Sequence, residues 1–185
     1  YEQAERLLRR LLELDPLDAN NRAELGFLLW EMGRRDEALT EVEKSIELQP
    51  DMPQNYMWLG ARKFFDYGQL DQAVYLIRRA YALNPEGGMY AAYVAAGYAD
   101  LGMRGEALSW LARADELGPE LQQVQYYKSV VHRRLGDAQT ANTLFREYIE
   151  KFDDRRKLLV VLNLASSDIL DGQPDAGIAR FLEAF

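Results

Sequence analysis

Few side chains in this sequence could perform catalysis. The chain contains one histidine, His132, and no cysteine. It can therefore form neither a His-rich metal site nor an HExxH helix, and it has no thiol chemistry or disulfide framework. His132 stands between Val131 and Arg133 in a helical pattern, where an ordinary packed or partly exposed histidine explains it better than a catalytic base. We predict no enzyme activity, no metal site and no cofactor.

Two other patterns hint at ligand sites but have simpler interpretations. Gly97 and Gly102 lack the Gly-Lys-Ser/Thr sequence that a phosphate-binding loop requires, so we assign them to helix packing and to a turn. Asp153 and Asp154 precede three basic residues at 155–157. This run predicts a solvated loop, and a docking site for an acidic partner is the weaker alternative.

Composition narrows the range of partners. The net charge is −8, and contact with phosphates needs a basic surface, so we expect no nucleic-acid binding by this segment. No apolar run approaches the about 18–20 residues that span a bilayer, so we expect no membrane span. No targeting signal is visible. A cytoplasmic location is favoured, and a periplasmic location stays open.

Small residues recur with the period of a helical repeat. Five alanines are separated by 34, 35, 34 and 34 residues, and a proline follows each of the first four alanines by twelve residues. Five glycines keep nearly the same period. A period of 20–50 residues indicates stacked structural units. The three series are Ala4, Ala38, Ala73, Ala107 and Ala141; Pro16, Pro50, Pro85 and Pro119; and Gly33, Gly68, Gly102, Gly136 and Gly172.

Each period predicts two helices. Before each proline, apolar residues fall at spacings of three and four, which is one face of an amphipathic helix that the proline then ends. An earlier helix ends near each glycine, as in a left-handed C-cap. The alanine near the start of each second helix is expected where the two helices cross, because a larger side chain would overpack the crossing. The predicted first helices are 19–32, 53–66, 88–101, 121–135 and 156–170.

These units resemble the tetratricopeptide repeat, in which Leu-Gly in the first helix precedes a turn glycine, a crossing alanine and a closing proline. The best unit, AELGFLLWEMGRRDEALTEVEKSIELQP, has Leu25, Gly26, Gly33, Ala38 and Pro50 in phase. The resemblance implies an all-α fold, a right-handed α-solenoid of tandem helix-turn-helix repeats. We expect one solenoid over 1–185: the second helix of a cut repeat at 1–16, repeats at about 17–50, 51–85, 86–119 and 120–153, and an incomplete repeat at 154–185.

Three units depart from this pattern. The unit at 51–85 carries one extra residue, which predicts either a bulge in its first helix or a longer turn between its helices. In the unit at 120–153, Asp153 or Asp154 stands where proline is expected. In the last unit, Gly177 or Ala176 takes the crossing role.

Both ends of the sequence interrupt the repeat pattern. The chain begins with Tyr1 and an unpaired second helix at 1–14, and it stops inside a second helix with Phe181, Leu182 and Phe185. Natural arrays end in polar capping repeats, so we expect a fragment of a larger protein. The apolar faces at both ends predict self-association or weak protection from solvent.

The resemblance also indicates a binding surface, because the first helices of this family line the concave face. The residues expected there are Phe27, Trp30, Met57, Phe64, Tyr93, Tyr126 and Arg133, and Phe64 and Phe65 are not distinguished by their spacing. Their expected polar neighbours are Asn20, Glu31, Gln54, Asp100 and Gln123. One branch of the family clamps a terminal carboxylate with lysine, asparagine and arginine. That mechanism is not expected here, because the matching positions hold Ala23, Phe27, Met57 and Ala61.

The sequence therefore predicts a non-catalytic protein–protein interaction scaffold that binds a peptide or protein segment in its concave groove. Three alternatives stay open. They are the regulatory arm of a larger signalling or transcription protein, a scaffold of an envelope export machine, and the substrate-guiding arm of a transferase. The Arg- and Leu-rich start, AERLLRRLLELDP, favours a bacterial source.

Overall fold

The structure is a computed structural model that describes residues 1–152, 156–170 and 172–182. Its elements in the described residues are all helices, and they group into two compact units, Tyr1–Pro85 and Glu86–Phe185. The first unit contains α1 to α5 and the second α6 to α11. The helices are α1 Glu2–Leu14, α2 Ala19–Glu31, α3 Arg35–Leu48, α4 Pro53–Phe65, α5 Leu70–Leu83, α6 Gly88–Asp100, α7 Arg104–Leu117, α8 Gln122–Arg134, α9 Ala138–Lys151, α10 Arg156–Leu170 and α11 Pro174–Leu182.

Proline ends the first four of the second helices, as the sequence predicts. Helices α1, α3, α5 and α7 each end at a leucine that lies two residues before a proline. The proline cannot donate a backbone hydrogen bond, and its ring disfavours the helical conformation of the residue before it. The corresponding break after α9 was predicted at Asp153 or Asp154, and both residues lie outside the described part of the chain.

Glycine closes the first helix of each pair in the left-handed conformation. The φ angles of the five predicted turn glycines run from 65° to 81°, where a side chain would clash with the backbone. At the α2–α3 turn, the Gly33 amide donates to the Trp30 carbonyl at 2.9 Å and the Arg34 amide to the Leu29 carbonyl at 2.9 Å. These bonds use carbonyls that the end of α2 would otherwise leave unpaired.

The α4–α5 turn is one residue longer than the others. Helix α4 has 13 residues, as does α2, so the extra residue of this unit lies in the turn and not in a helical bulge. The Gly68 amide reaches back four residues to the Phe64 carbonyl at 3.3 Å, and the Gln69 amide reaches back six residues to the Lys63 carbonyl at 2.8 Å. Of the two expected explanations, the longer turn is correct.

The alanines lie at the helix crossings. Ala38, Ala73, Ala107 and Ala141 are completely buried, since a larger side chain there would separate the two helices of a pair. In the last pair the crossing residue is Gly177, where a β-carbon would lie 2.6 Å from the Ala165 carbonyl oxygen. Ala176 is exposed, which decides between the two candidates.

Each unit has its own apolar core. In the first unit, Leu25, Leu29 and Trp30 pack with Ala38 and receive Leu8 and Leu12 from α1. The second unit has one core cluster between α6, α7 and α8 and another between α8, α9 and α10. Because each helix pair has only one apolar face of its own, these cores form where neighbouring pairs stack.

A buried polar chain connects three helices of the first unit. The Asn55 side-chain amide in α4 donates to the Ser45 hydroxyl in α3 at 2.9 Å, and that hydroxyl donates to the Ala19 carbonyl in α2 at 2.6 Å. Asn55 and Ser45 are both completely buried. The donor groups of both side chains are hydrogen-bonded, which lowers the cost of burying them, and the geometry of these bonds fixes how α4 packs on the preceding pair.

The first and last helices have exposed apolar side chains, as expected. Helix α1 has no buried residue, and Leu7 and Leu14 are 61% and 70% exposed. In α11, Phe181 and Leu182 are 41% and 67% exposed; Phe185 lies outside the described residues. None of the helices in the described part of the chain has the length and apolarity needed to cross a membrane.

Candidate functional site

An aromatic cluster joins α2 and α4 in the first unit. The ring of Trp58 lies 5.2 Å from that of Phe27 and 5.4 Å from that of Trp30, and it meets the Trp30 ring edge-on at 88°. Edge-to-face and tilted contacts at such distances contribute a favourable energy in addition to that gained by burying the rings. Trp30 is only 8% exposed, whereas Phe27 and Trp58 are half-buried. The solvent-facing part of the cluster therefore consists of Phe27 and Trp58, with Trp30 beneath them.

Two guanidinium groups cover the Trp30 side of this cluster. The guanidinium carbons of Arg35 and Arg62 each lie 5.2 Å from the Trp30 ring centre, and that of Arg62 lies 5.8 Å from the ring centre of Trp58. Arginine binds the negative face of an indole ring in such contacts. Arg62 also approaches Asp66 at 3.5 Å, so it connects the rings to the start of the α4–α5 turn.

The remaining predicted residues of the first unit lie mostly on α4. Met57 and Phe64 are half-buried, and the predicted polar neighbours Asn20, Glu31 and Gln54 are exposed. The side chain of Phe65 lies outside the described part of the structure. Trp58 was missed by sequence reasoning. Its signal was its type, since it is one of only three tryptophans, and its position beside Met57 on the same helix.

A second aromatic cluster lies in the second unit, between α6, α8 and α9. The Tyr93 ring is 4.4 Å from that of Tyr127, which meets Tyr126 edge-on at 5.1 Å; Tyr126 in turn lies 5.8 Å from Tyr148. Burial raises the pKa of the Tyr127 hydroxyl, and its hydrogen bond with Tyr93 acts in the same direction. Tyr93 and Tyr126 are half-buried, so parts of both rings face solvent.

Arg133 and Arg134 make contacts inside this unit. Arg133 donates to the Asn142 side-chain oxygen at 2.5 Å and lies 6.0 Å from the Phe145 ring centre, so its guanidinium is directed toward α9. Arg134 lies 2.5 Å from the Asp100 carboxylate and connects α8 to α6. Burial raises the pKa of Asp100, and the positive charge of Arg134 opposes that shift.

His132 lies near the end of α8, beside the α8–α9 turn. Its Nδ1 atom lies 3.1 Å from the Asp137 carboxylate, and Asp137 is the N-cap of α9, accepting from the Thr140 amide at 3.2 Å. The pair therefore spans the α8–α9 turn. In the described residues, no group of three or more histidine, cysteine, aspartate or glutamate side chains could hold a metal ion.

Two segments match known family models. Residues 1–58 and 123–154 each match a model described as "Tetratricopeptide repeat". These segments contain α1 to α3 with the start of α4, and α8 to α9. No curated protein matches the sequence.

Solved structures share the fold. The crystal structure of MamA is 20% identical over 80% of each chain, with a TM-score of 0.61. TTC0263, described as a thermophilic TPR protein in Thermus thermophilus, is 22% identical over 90% of this chain and 89% of that one, with a TM-score of 0.74. YrrB, described as a TPR protein with an unusual peptide-binding site, is 17% identical over 94% and 88%, with a TM-score of 0.62. At these identities the likeness shows the fold alone.

Proposed function

Because this chain is a tetratricopeptide repeat protein, we propose that it binds a peptide or protein segment on the exposed faces of its first helices. The family generally provides non-catalytic scaffolds for protein–protein interaction. The finer proposal is that α2 and α4 present one contact surface, the Phe27–Trp58 surface, formed by Phe27, Met57 and Trp58. A second contact in the other unit uses Tyr93 and Tyr126.

The observation that carries this proposal is the half-buried state of Phe27 and Trp58 over a buried Trp30. Aromatic side chains that are partly exposed and already held in place lose little conformational entropy when a partner docks. They also bury a large area with few rotatable bonds, which makes them frequent energetic centres of interfaces. YrrB is described as having an unusual peptide-binding site, which supports peptides as the first partners to test.

The concave-face residues predicted from the sequence differ in burial, and we propose that the exposed ones contact the partner and the buried or engaged ones support them. Trp30 is buried beneath Phe27 and Trp58, so we propose that it supports the surface and affects binding through the position of Trp58. Arg133 is engaged with Asn142, and we propose a supporting role for it beside Tyr126. Phe27, Met57, Phe64, Tyr93 and Tyr126 remain the proposed contact residues.

The experiment is selection of binding peptides from a phage-displayed library, followed by affinity measurements by fluorescence anisotropy. We expect Trp58→Ala to weaken a selected peptide by more than about five-fold, as truncation of an interface centre does. Tyr75→Ala is the matched control, because Tyr75 is 70% exposed on the second helix α5. Equal affinities of both variants for every selected peptide, with unchanged circular dichroism, would refute the Phe27–Trp58 surface.

The contact in the second unit is tested in the same assay. Tyr93→Ala removes the ring whose centre lies 4.4 Å from that of Tyr127, whereas Tyr93→Phe keeps the ring and removes only the hydroxyl. We expect peptides that use this unit to be weakened by the alanine variant and retained by the phenylalanine variant. If neither variant changes any affinity, the second contact surface is wrong and the first stands alone.

A further inference from the structure

The exposed face of α2 combines an aromatic ring with two carboxylates. Glu24, Phe27 and Glu31 follow one another at spacings of three and four residues, so they project from the same side of the helix. Both glutamates are exposed, and Phe27 between them contacts Trp58. With a rise of about 1.5 Å per residue, the two glutamates are about 10 Å apart along the helix.

These two carboxylates have no ion pair within the described part of the chain. The only cation on α2, Arg22, lies 2.8 Å from Glu41 in α3. Arg34 is held by Glu37 at 2.5 Å and by Glu5 at 2.6 Å. Arg22 and Arg34 are thus paired with other carboxylates, and the negative charges of Glu24 and Glu31 are directed to solvent.

The negative charge of Glu31 is partly compensated by nearby arginines. Arg35 follows Glu31 by one turn, and its guanidinium lies over Trp30 together with that of Arg62. Arg62 is in turn close to Asp66 at 3.5 Å. Glu24 has no such cation beside it in the described residues, so it is expected to contribute more to the attraction of a positive ligand than Glu31.

We propose that the segment docking on the Phe27–Trp58 surface is an extended peptide with an apolar side chain between two basic ones. This inference rests on the proposed function and adds the chemistry of the partner. An extended chain advances about 3.3 Å per residue, and its alternate side chains share one face. Lysine or arginine side chains four residues apart, about 13 Å along the chain, therefore flank an apolar side chain on the same face. Their long stems allow the charged ends to reach Glu24 and Glu31. The apolar side chain between them lies over Phe27 and Trp58.

Charge at the edge of an interface acts mainly on association and on the choice of partner. An exposed ion pair contributes little, and salt screens it. The expected effect is therefore a preference of about five-fold at low ionic strength that falls as salt is added, and not an absolute requirement.

The experiment compares two double variants with equal changes in net charge. Glu24→Gln/Glu31→Gln removes the carboxylates of the surface. Glu43→Gln/Glu47→Gln removes two exposed carboxylates of α3, the second helix of the pair. The probes are peptides selected on the unaltered chain from a random 12-residue phage library, each synthesised also with its basic residues replaced by glutamine.

We expect the selected peptides to carry Lys or Arg on both sides of an apolar residue. Their affinity should fall about five-fold at low salt in Glu24→Gln/Glu31→Gln, with Glu24→Gln alone causing most of the loss. In Glu43→Gln/Glu47→Gln it should fall by less than two-fold. The glutamine-substituted peptides should bind both the unaltered chain and the surface variant with equal affinity.

Two results separate the failure of this inference from that of the proposed function. Peptides that depend on Trp58 but show no basic residues, or that lose equal affinity in the two double variants, overturn the inference and leave the contact surface intact. If no peptide depends on Trp58, the proposed function fails at this surface, and the inference fails with it.

Discussion

The backbone of Gly26 lies against Ala38 so closely that a β-carbon at Gly26 would be 2.9 Å from the Ala38 carbonyl oxygen. The same β-carbon would be 2.6 Å from a methyl group of Val42. The contact with the Ala38 carbonyl oxygen cannot be relieved without moving α2 away from α3, because that atom belongs to the backbone. The close approach of these two residues therefore sets the crossing distance of the first complete helix pair.

The first prediction follows from this contact. Gly26→Ala should lower the free energy of unfolding by about 1–3 kcal/mol, because the added methyl group overpacks the crossing. Gly105→Ala is the matched control, since a β-carbon at Gly105 in α7 would meet nothing within 4 Å. There the substitution should stabilise by about 0.4–1 kcal/mol through the reduced entropy of the unfolded chain. Urea denaturation monitored by circular dichroism measures both, and equal effects would contradict the crossing argument.

The second prediction concerns the buried polar chain. Ser45→Ala removes the hydroxyl that accepts from Asn55 and donates to Ala19. The Asn55 amide is left buried without that acceptor, so we expect a loss of about 1–3 kcal/mol in the free energy of unfolding. Thr40→Ala on the same helix removes an exposed hydroxyl bonded to the Asp36 carbonyl at 2.9 Å and should change stability by less than about 0.5 kcal/mol. A neutral Ser45→Ala would show that the network does not stabilise the packing of α4.

The third prediction separates the two tryptophans of the aromatic cluster. Trp30 is 8% exposed, so Trp30→Ala should destabilise the first unit by about 3–5 kcal/mol, as truncation of a buried aromatic ring does. Trp58 is half-buried, and Trp58→Ala should cost clearly less. The two free energies of unfolding are compared by chemical denaturation. A larger loss for Trp58→Ala would contradict the assignment of Trp30 to support and Trp58 to the surface.

The fourth prediction is a pH dependence at the α8–α9 turn. Hydrogen bonds from Thr140, together with the neighbouring His132, hold the pKa of Asp137 below its ordinary value. A carboxyl group with a lowered pKa in the folded state contributes stability above its unfolded pKa, about 3.9, and loses it as the pH falls through the folded value. Asp137→Ala should therefore be less stable than the unaltered chain at pH 7, with a difference that shrinks as the pH falls below the unfolded pKa of about 3.9.

Thermal denaturation at a series of pH values from neutral to acid measures the difference in stability between the unaltered chain and Asp137→Ala. Glu150→Ala on the same helix is the control, because Glu150 is exposed and has no ion pair in the described part of the chain. A difference between the unaltered chain and Asp137→Ala that stays constant over the whole range would rule out the hydrogen-bonded carboxylate as its source.

The fifth prediction concerns the exposed first helix. Ala4 is exposed, whereas its equivalents in the four following second helices are completely buried. Backbone amides of Glu2–Leu14 should therefore exchange with solvent faster than those of Gly88–Asp100, which has nine buried residues. Hydrogen exchange followed by mass spectrometry measures this. If α1 is as protected as α6, light scattering should show self-association that covers its apolar face, and a protected monomer would contradict the prediction.

The amino-acid sequence by itself determined the repeat period, the helix ends and the crossing positions. These features depend on local chemistry. Gly33 adopts a left-handed φ of 80° that few other residue types tolerate, and Pro50 cannot continue the helix that precedes it. Ala38 belongs to the same class, because any antiparallel pair with a short turn needs a small side chain at its crossing. Residue type and spacing were therefore sufficient for the all-helical fold.

Only the tertiary structure decided which side chains of the predicted surface are buried and which are exposed. Trp30 and Phe27 lie on neighbouring parts of α2, but the packing of α4 buries the first and leaves part of the second in solvent. Trp58 gained its role from the same packing, and Arg133 is directed to Asn142 because α9 lies beside it. Burial and direction depend on contacts between residues far apart in sequence, and helical periodicity describes only the face of an isolated helix.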